Sequence, residues 1–175
     1  NIVLGDDGVI EYTRADRVTV PGSDTDASDI DLILSLSTTG FGGVDEIDSG
    51  IGNDIIIGGR FGDILNAGQG DNIVLGDNGQ ITAANDNVIN FTGQPITLGL
   101  VESVESLIGG PDTITTGIGR DIIIGGIDAD VIVANFGEYD GFESDSNNII
   151  IGDSGYIDWT VVDAGRVYAH LSGQD

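Results

Sequence analysis

The sequence contains no cysteine, no methionine and no lysine, and only three prolines, one tryptophan and one histidine in 175 residues. Without cysteine there is no disulfide and no thiolate metal site to staple the fold. With His170 as the lone imidazole, zinc also lacks its usual ligands. Five arginines face 30 acids, a formal net charge of -25, which sets aside nucleic acid and anionic membrane surfaces as partners. No apolar run approaches the ~20 residues of a membrane-spanning helix. An enzyme that needs a basic or aromatic substrate cradle has little here to be built from, so a non-catalytic role is expected.

What is present in excess is glycine, 29 residues, without the every-third spacing of collagen, and aspartate, which makes up 24 of the 30 acids. The two are phased. Gly40 to Asp48, Ser49 to Ile57, Gly58 to Asn66 and Ala67 to Leu75 form unbroken blocks of nine, as do Leu107 to Thr115, Thr116 to Ile124 and Gly125 to Val133. The sixth places read Asp45, Asp54, Asp63, Asn72, Asp112, Asp121 and Asp130; the eighth places read Ile47, Ile56, Leu65, Val74, Ile114, Ile123 and Ile132. A glycine turn, an acid and a short aliphatic run, repeated, predict a solenoid whose coils bury their apolar faces only against neighbouring coils.

A longer period overlies the short one. Asp45, Asp54 and Asp63 recur 67 residues later as Asp112, Asp121 and Asp130, and NIVLGDDG at Asn1 returns as NIVLGDNG at Asn72 and NIIIGDSG at Asn148. The expected units are 1–71, 72–147 and the opening of a third, 148–175, as in a piece of a longer array that continues into further repeats or associates with itself.

Turns this tight need left-handed backbone, which glycine takes without steric cost, and Gly50, Gly52, Gly59, Gly117, Gly119 and Gly126 are placed to supply it. Carbonyls at such turns converge, and a short aspartate can set carboxylate oxygens beside them. The resulting all-oxygen shell suits Ca²⁺ better than the tighter octahedron of Mg²⁺. If two nonapeptides make one coil, residues eighteen apart stack, so Asp45 should share an ion with Asp63, and Asp112 with Asp130. On the opposite edge Asp54 should stack on Asn72, and Asp121 has no clean partner because the frame breaks at Ala134. Those sites are expected to be weaker.

The segments SGIGNDIIIGG and TGIGRDIIIGG resemble the RTX, or haemolysin-type, calcium-binding repeat, G-G-x-G-x-D-x-U-x. The resemblance covers Gly40 to Leu75 and Leu107 to Val133. It implies a parallel β-roll holding several Ca²⁺ ions between turns, with ligands on Asp45, Asp54, Asp63, Asp112, Asp121 and Asp130 and carbonyls from nearby glycines. Phe61 and Asp128 depart from the pattern by standing where its fourth-place glycine belongs; Asn72 and Asn148 replace the sixth-place Asp.

After each NI-type motif come period-two runs that read as β-hairpins: Val9 to Thr13 with Arg17 to Val20, Gln80 to Ala84 with Val88 to Phe91, and Tyr156 to Val161 with Arg166 to Leu171. The strand runs are apolar at three successive places, in Ile55, Ile57, Ile73, Leu75, Ile122, Ile124, Val131, Val133, Ile149 and Ile151. Strands of this kind are buried on both faces, so the hairpins or a neighbouring chain should cover the roll. GDSG at Gly152 echoes a serine-protease nucleophile loop, but it fills the same repeat place as Asp6-Asp7 and Asp77-Asn78. Asp6, Asp77 and Asp153 are therefore read as tight Asx bends, with a direct part in calcium binding left open. Asp24, Asp26, Asp29 and Asp31 read as a solvated acidic loop.

The sequence thus predicts an all-β protein, a parallel β-roll or β-solenoid of nonapeptide coils with β-hairpin insertions. Its expected role is that of a calcium-binding structural segment of an extracellular fibre, adhesin or surface-layer-like protein. The competing expectation, also by family resemblance, is the calcium-dependent secretion and folding module of a toxin or secreted hydrolase.

Overall fold

The computed structural model describes residues 1–12, 29–37, 40–84, 93–137 and 147–159. Among them there are fourteen strands and no helix, hence none long and apolar enough to cross a membrane. The strands form three sheets.

The first sheet is parallel and contains β1 (Ile2–Leu4), β5 (Ile55–Gly59), β7 (Ile73–Asp77), β11 (Ile122–Ile124) and β13 (Ile149–Ile151), in that spatial order. The second, also parallel, contains β4 (Glu46–Asp48), β6 (Ile64–Gly68), β10 (Thr113–Thr116) and β12 (Val131–Val133). The chain alternates between the two, one nonapeptide per strand, which is the β-roll. Register puts Val3, Ile56, Val74, Ile123 and Ile150 in one row and Ile47, Leu65, Ile114 and Ile132 in the facing one. The eighth-place aliphatics therefore fill the space between the sheets: Ile56, Leu65, Val74, Ile114 and Ile123 are fully buried there with Ala67, and Ile47 and Ile132 pack against them. Each such burial stabilises by about 1.5–3 kcal/mol.

The third sheet is antiparallel: β2 (Gly8–Glu11), β3 (Leu32–Ser35), β8 (Gly79–Ala83), β9 (Leu98–Ser103) and β14 (Tyr156–Asp158), in that order. It lies over the outer face of the first sheet, where Ile55, Ile57, Ile73, Leu75, Ile122 and Ile124 meet Ile33, Ile81, Ala83, Leu98 and Val101, with Trp159 against the same cluster. The first sheet is thus the middle of three layers, and the triple-aliphatic runs of β5, β7 and β11 are explained by burial on both faces. The chain's own insertions supply the cover.

Three expectations are corrected. Val131 and Val133 are 58% and 43% exposed, because they point outward from the second sheet, over which no layer packs among the described residues. Ile149 is likewise 43% exposed on β13, the last strand of its sheet among the described residues, whereas Ile151 packs against the core. The second hairpin also differs, since β8 has β3 and β9 as its two neighbours. The first arms form β2, β8 and β14, but β2 pairs with β3, with Val9 opposite Leu34, and β8 and β14 both pair with β9. The arms expected at 17–20, 88–91 and 166–171 lie outside the described residues. Asp31 is buried at the entrance to β3, its carbonyl accepting the Ala83 N–H, rather than in a solvated loop; Asp24 and Asp26 fall outside the described residues.

Candidate metal centres on the two edges of the roll

Every coil turns twice between the parallel sheets, so the roll has two edges. On edge one, chain leaves the first sheet through Gly5, Gly58, Gly76, Gly125 and Gly152 and enters the second through Asp45, Asp63, Asp112 and Asp130. Parallel pairing stacks these residues in columns. Oδ1 of Asp63, Asp112 and Asp130 each accepts the backbone N–H of the preceding aspartate in the column: Asp45 N to Asp63 Oδ1 (2.8 Å), Asp63 N to Asp112 Oδ1 (2.7 Å) and Asp112 N to Asp130 Oδ1 (2.9 Å). The pairs eighteen apart stack as their spacing predicts. The contact of Asp63 with Asp112 was not legible, because it bridges the insertion that carries β8 and β9.

The other oxygen of each carboxylate is the informative one. Oδ2 of Asp45, Asp63, Asp112 and Asp130 is buried and receives no hydrogen bond. Each lies against the glycine column. A Cβ on Gly5 would sit 2.6 Å from Asp45 Oδ2 and also strike the Gly58 carbonyl; one on Gly58 would strike Asp63 Oδ2 and Gly76 O; one on Gly76, Asp112 Oδ2 and Gly125 O; one on Gly125, Asp130 Oδ2 and Gly152 O. The cradle is therefore made of carboxylate and carbonyl oxygen, and a single methyl group would fill it.

Asp6 and Asp77 stand beside this column. Asp6 accepts the N–H groups of Gly43 (3.1 Å) and Arg60 (2.7 Å); the corresponding Asp77 accepts those of Gly110 (2.9 Å) and Ile127 (2.6 Å). Each ties two successive turns together, which is more than an Asx bend does. Asp153, in the equivalent place after β13, is exposed.

Crowding of like charges shows in proton affinity. Burial, with Asp45, Asp6 and Asp77 adding repulsion against an opposing backbone hydrogen bond, pushes Asp63 up to about 7. Burial outweighs two N–H bonds to put Asp77 at about 7 as well, and burial plus Asp77, Asp63 and Asp130 push Asp112 to about 8. Asp45 and Asp130 are raised too, first by burial, then by Asp6 for the former and by Asp153 and Asp128 for the latter. A cation among these oxygens would relieve both the desolvation and the repulsion. No three acidic or histidine side chains converge as a cage among the described residues, so an ion here must draw on carbonyls. The donor set, all hard oxygen, fits Ca²⁺.

Edge two is built from the turns that enter the first sheet, and its column reads Asn1, Asp54, Asn72, Asp121, Asn148. Asp54 N donates to Asn72 Oδ1 (3.0 Å), Asn72 N to Asp121 Oδ1 (3.0 Å) and Asp121 N to Asn148 Oδ1 (2.8 Å). Asp121, expected to lack a clean partner, stacks between two asparagines because the chain returns to the frame at Asn148.

Of the six glycines expected in left-handed backbone, Gly50, Gly52, Gly59, Gly119 and Gly126 adopt it, and Gly117 does not. Gly117 is instead a close-approach glycine: its N–H donates to Gly68 O at 2.7 Å, and a Cβ would lie 3.1 Å from that oxygen. Phe61 and Asp128, standing in glycine's place, keep its backbone at φ 77° and 73°. The turn keeps its shape from coil to coil even where the residue is not glycine, at a cost of about 1–3 kcal/mol each.

The family model of the RTX calcium-binding nonapeptide repeat (four copies) matches residues 39–56, 48–80 and 108–138. No curated protein and no solved structure gives a significant match.

Proposed function

We propose, from the premise that this chain belongs to the RTX calcium-binding repeat family, that it is a calcium-set structural segment of an extracellular fibre, adhesin or surface-layer-like protein. The observation that carries this reading is the column of four buried Oδ2 atoms, of Asp45, Asp63, Asp112 and Asp130, that lack a donor and face stacked glycine carbonyls. These carboxylates, with the carbonyls of Gly58, Gly76, Gly125 and Gly152, would hold the ions. Bound calcium supplies the positive charge that the edge itself lacks.

The chain's own residues do the rest. Backbone N–H bonds to Oδ1 of Asp63, Asp112 and Asp130 aim their Oδ2 at the glycine column, and Asp6 and Asp77 lock the turns whose carbonyls complete it; Asp153 is the third copy of that device. The units 1–71, 72–147 and 148–175 would each add coils to one rod. The outward edges of β12 and β13 are unpaired among the described residues, which supports further coils, or a second copy, pairing there. Extracellular modules of this kind bind calcium at about 10⁻⁴–10⁻³ M, so the segment would stay unfolded inside the cell and set outside it, where a net charge of -25 no longer opposes stacking. Circular dichroism in calcium and after EGTA tests the coupling: β-signal that collapses on chelation is expected, and a spectrum indifferent to EGTA contradicts it. Electron micrographs of the native material test the fibre role.

A further inference from the structure

We propose that the Asn72 turn of edge two carries no calcium, because the side-chain amide of Asn72 does the work of the ion. The inference rests on edge one being the calcium edge and concerns what that reading leaves unexplained, the alternation of Asn and Asp on the opposite side.

Asn72 is fully buried, and its Nδ2 donates to the carbonyls of Gly70 (2.9 Å) and Gly68 (3.3 Å) in its own turn and to Asp121 Oδ1 (3.0 Å) in the next coil. Two turn carbonyls and a carboxylate from the neighbouring coil are the groups among which an inter-turn cation would lie. Here an N–H₂ group meets them. Asn1 repeats the arrangement, its Nδ2 reaching Ser49 O (3.2 Å) and Asp54 Oδ1 (2.8 Å), and Asn148 Nδ2 reaches Ala134 O (3.3 Å). Asp54 also accepts Ser49 Oγ on Oδ2 at 2.8 Å, so both of its oxygens are engaged, unlike those of edge one and unlike Asp121, whose Oδ2 is buried without a hydrogen bond. Other turn carbonyls are taken as well: Gln69 O accepts Gly52 N (2.8 Å) and Ile118 O accepts Gly70 N (2.9 Å).

The chemistry follows from charge and hydrogen count. An aspartate column offers only acceptors and needs a cation. Where a carboxamide follows a carboxylate, donor and acceptor meet in turn, as they do between Asn72 and its neighbours. The long repeat thus encodes two kinds of turn, one that waits for metal and, at Asn72, one already satisfied; Asp121, whose Oδ2 is buried without a hydrogen bond like those of edge one, bounds the satisfied stretch.

Native mass spectrometry of the full chain in saturating calcium, with folding checked by circular dichroism, tests this by counting ions in four proteins, the wild type and three variants. Asp54→Asn should retain the wild-type count, since it removes a supposed ligand that holds nothing. Asn72→Asp should gain an ion, because it replaces the amide by the acceptor that calcium needs. Asp63→Asn should lose at least one. An Asp54→Asn protein that loses an ion overturns the inference, as does an Asn72→Asp protein that gains none or fails to fold in calcium. A full count in Asp63→Asn overturns the assignment of edge one, and with it the contrast between the edges on which the inference rests.

Discussion

The two edges of the roll are made by the same coil geometry and the same stacking hydrogen bonds, yet they differ in electrostatic state where Asn72 stands in the column. On edge one, Asp follows Asp through four coils and leaves an Oδ2 undonated at each. On edge two, Asn and Asp alternate, Asn72 alone donates through Nδ2 to three oxygens, and one aspartate, Asp121, keeps a buried Oδ2 without a hydrogen bond. The difference between a carboxylate and a carboxamide is one ionisable oxygen exchanged for an N–H₂, and it decides whether a coil can close without a metal. Backbone geometry places the oxygens; side-chain chemistry decides what must lie between them.

The largest effect should come from filling the cradle of edge one. Gly76→Ala puts a methyl group against Asp112 Oδ2 and Gly125 O, and neither the backbone oxygen nor the stacked coil can move aside. The expected outcome is loss of the calcium-induced transition. Gly50→Ala on edge two meets open space at φ 88° and should cost only about 1–2 kcal/mol. Thermal melts of the two in calcium would break the comparison if the ranking were reversed.

Next in size is the pair of charge deletions, Asp112→Asn against Asp54→Asn. The first removes an undonated buried oxygen and should weaken calcium binding by about tenfold or more, equivalent to about 1.4 kcal/mol. The second should leave affinity unchanged, and isothermal titration calorimetry reads both.

Proton linkage sharpens the same contrast. Asp63, Asp77 and Asp112 hold protons up to about 7, 7 and 8 in the folded chain, against 3.8 for an ordinary aspartate. The folded state therefore binds more protons than the unfolded one between these values, and stability falls as pH rises through that window. In EGTA the protein should be most resistant to urea near pH 4 and lose resistance progressively towards pH 8. In calcium the trend should invert, because deprotonated ligands bind the metal more tightly. Urea midpoints across that range, with and without calcium, check the sign.

The reading of the sequence reached furthest where the nine-residue period runs unbroken. The eighth-place aliphatics, the stacking of Asp45 on Asp63 and of Asp112 on Asp130, and burial of β5 and β7 on both faces all follow from period alone. What it missed lies where the chain leaves the period and returns. Asp63 meets Asp112, and Asp121 meets Asn148, across insertions whose length carries no register. The partners of β2 and β8 are the runs Leu32-Ile33-Leu34 and Leu98-Gly99-Leu100-Val101, which lack the alternation that marks a half-buried strand because the third sheet is covered there. Asn72 was visible as a departure from the repeat, but only the direction of its amide carries the proposal that the departure replaces an ion.

The smallest expected effect concerns Phe61 and Asp128, which hold a glycine backbone. Asp128→Gly relieves left-handed strain and removes a charge that presses on Asp77 and Asp130, and should stabilise by about 0.5–1 kcal/mol in EGTA, measured as a small rise in urea midpoint.

A crystal structure grown in calcium, with anomalous scattering recorded to identify the ions, tests the central claim most directly. Anomalous peaks should lie between Oδ2 of Asp45, Asp63, Asp112 and Asp130 and the carbonyls of Gly58, Gly76, Gly125 and Gly152, with none beside Asn72. Peaks absent from that column would contradict it.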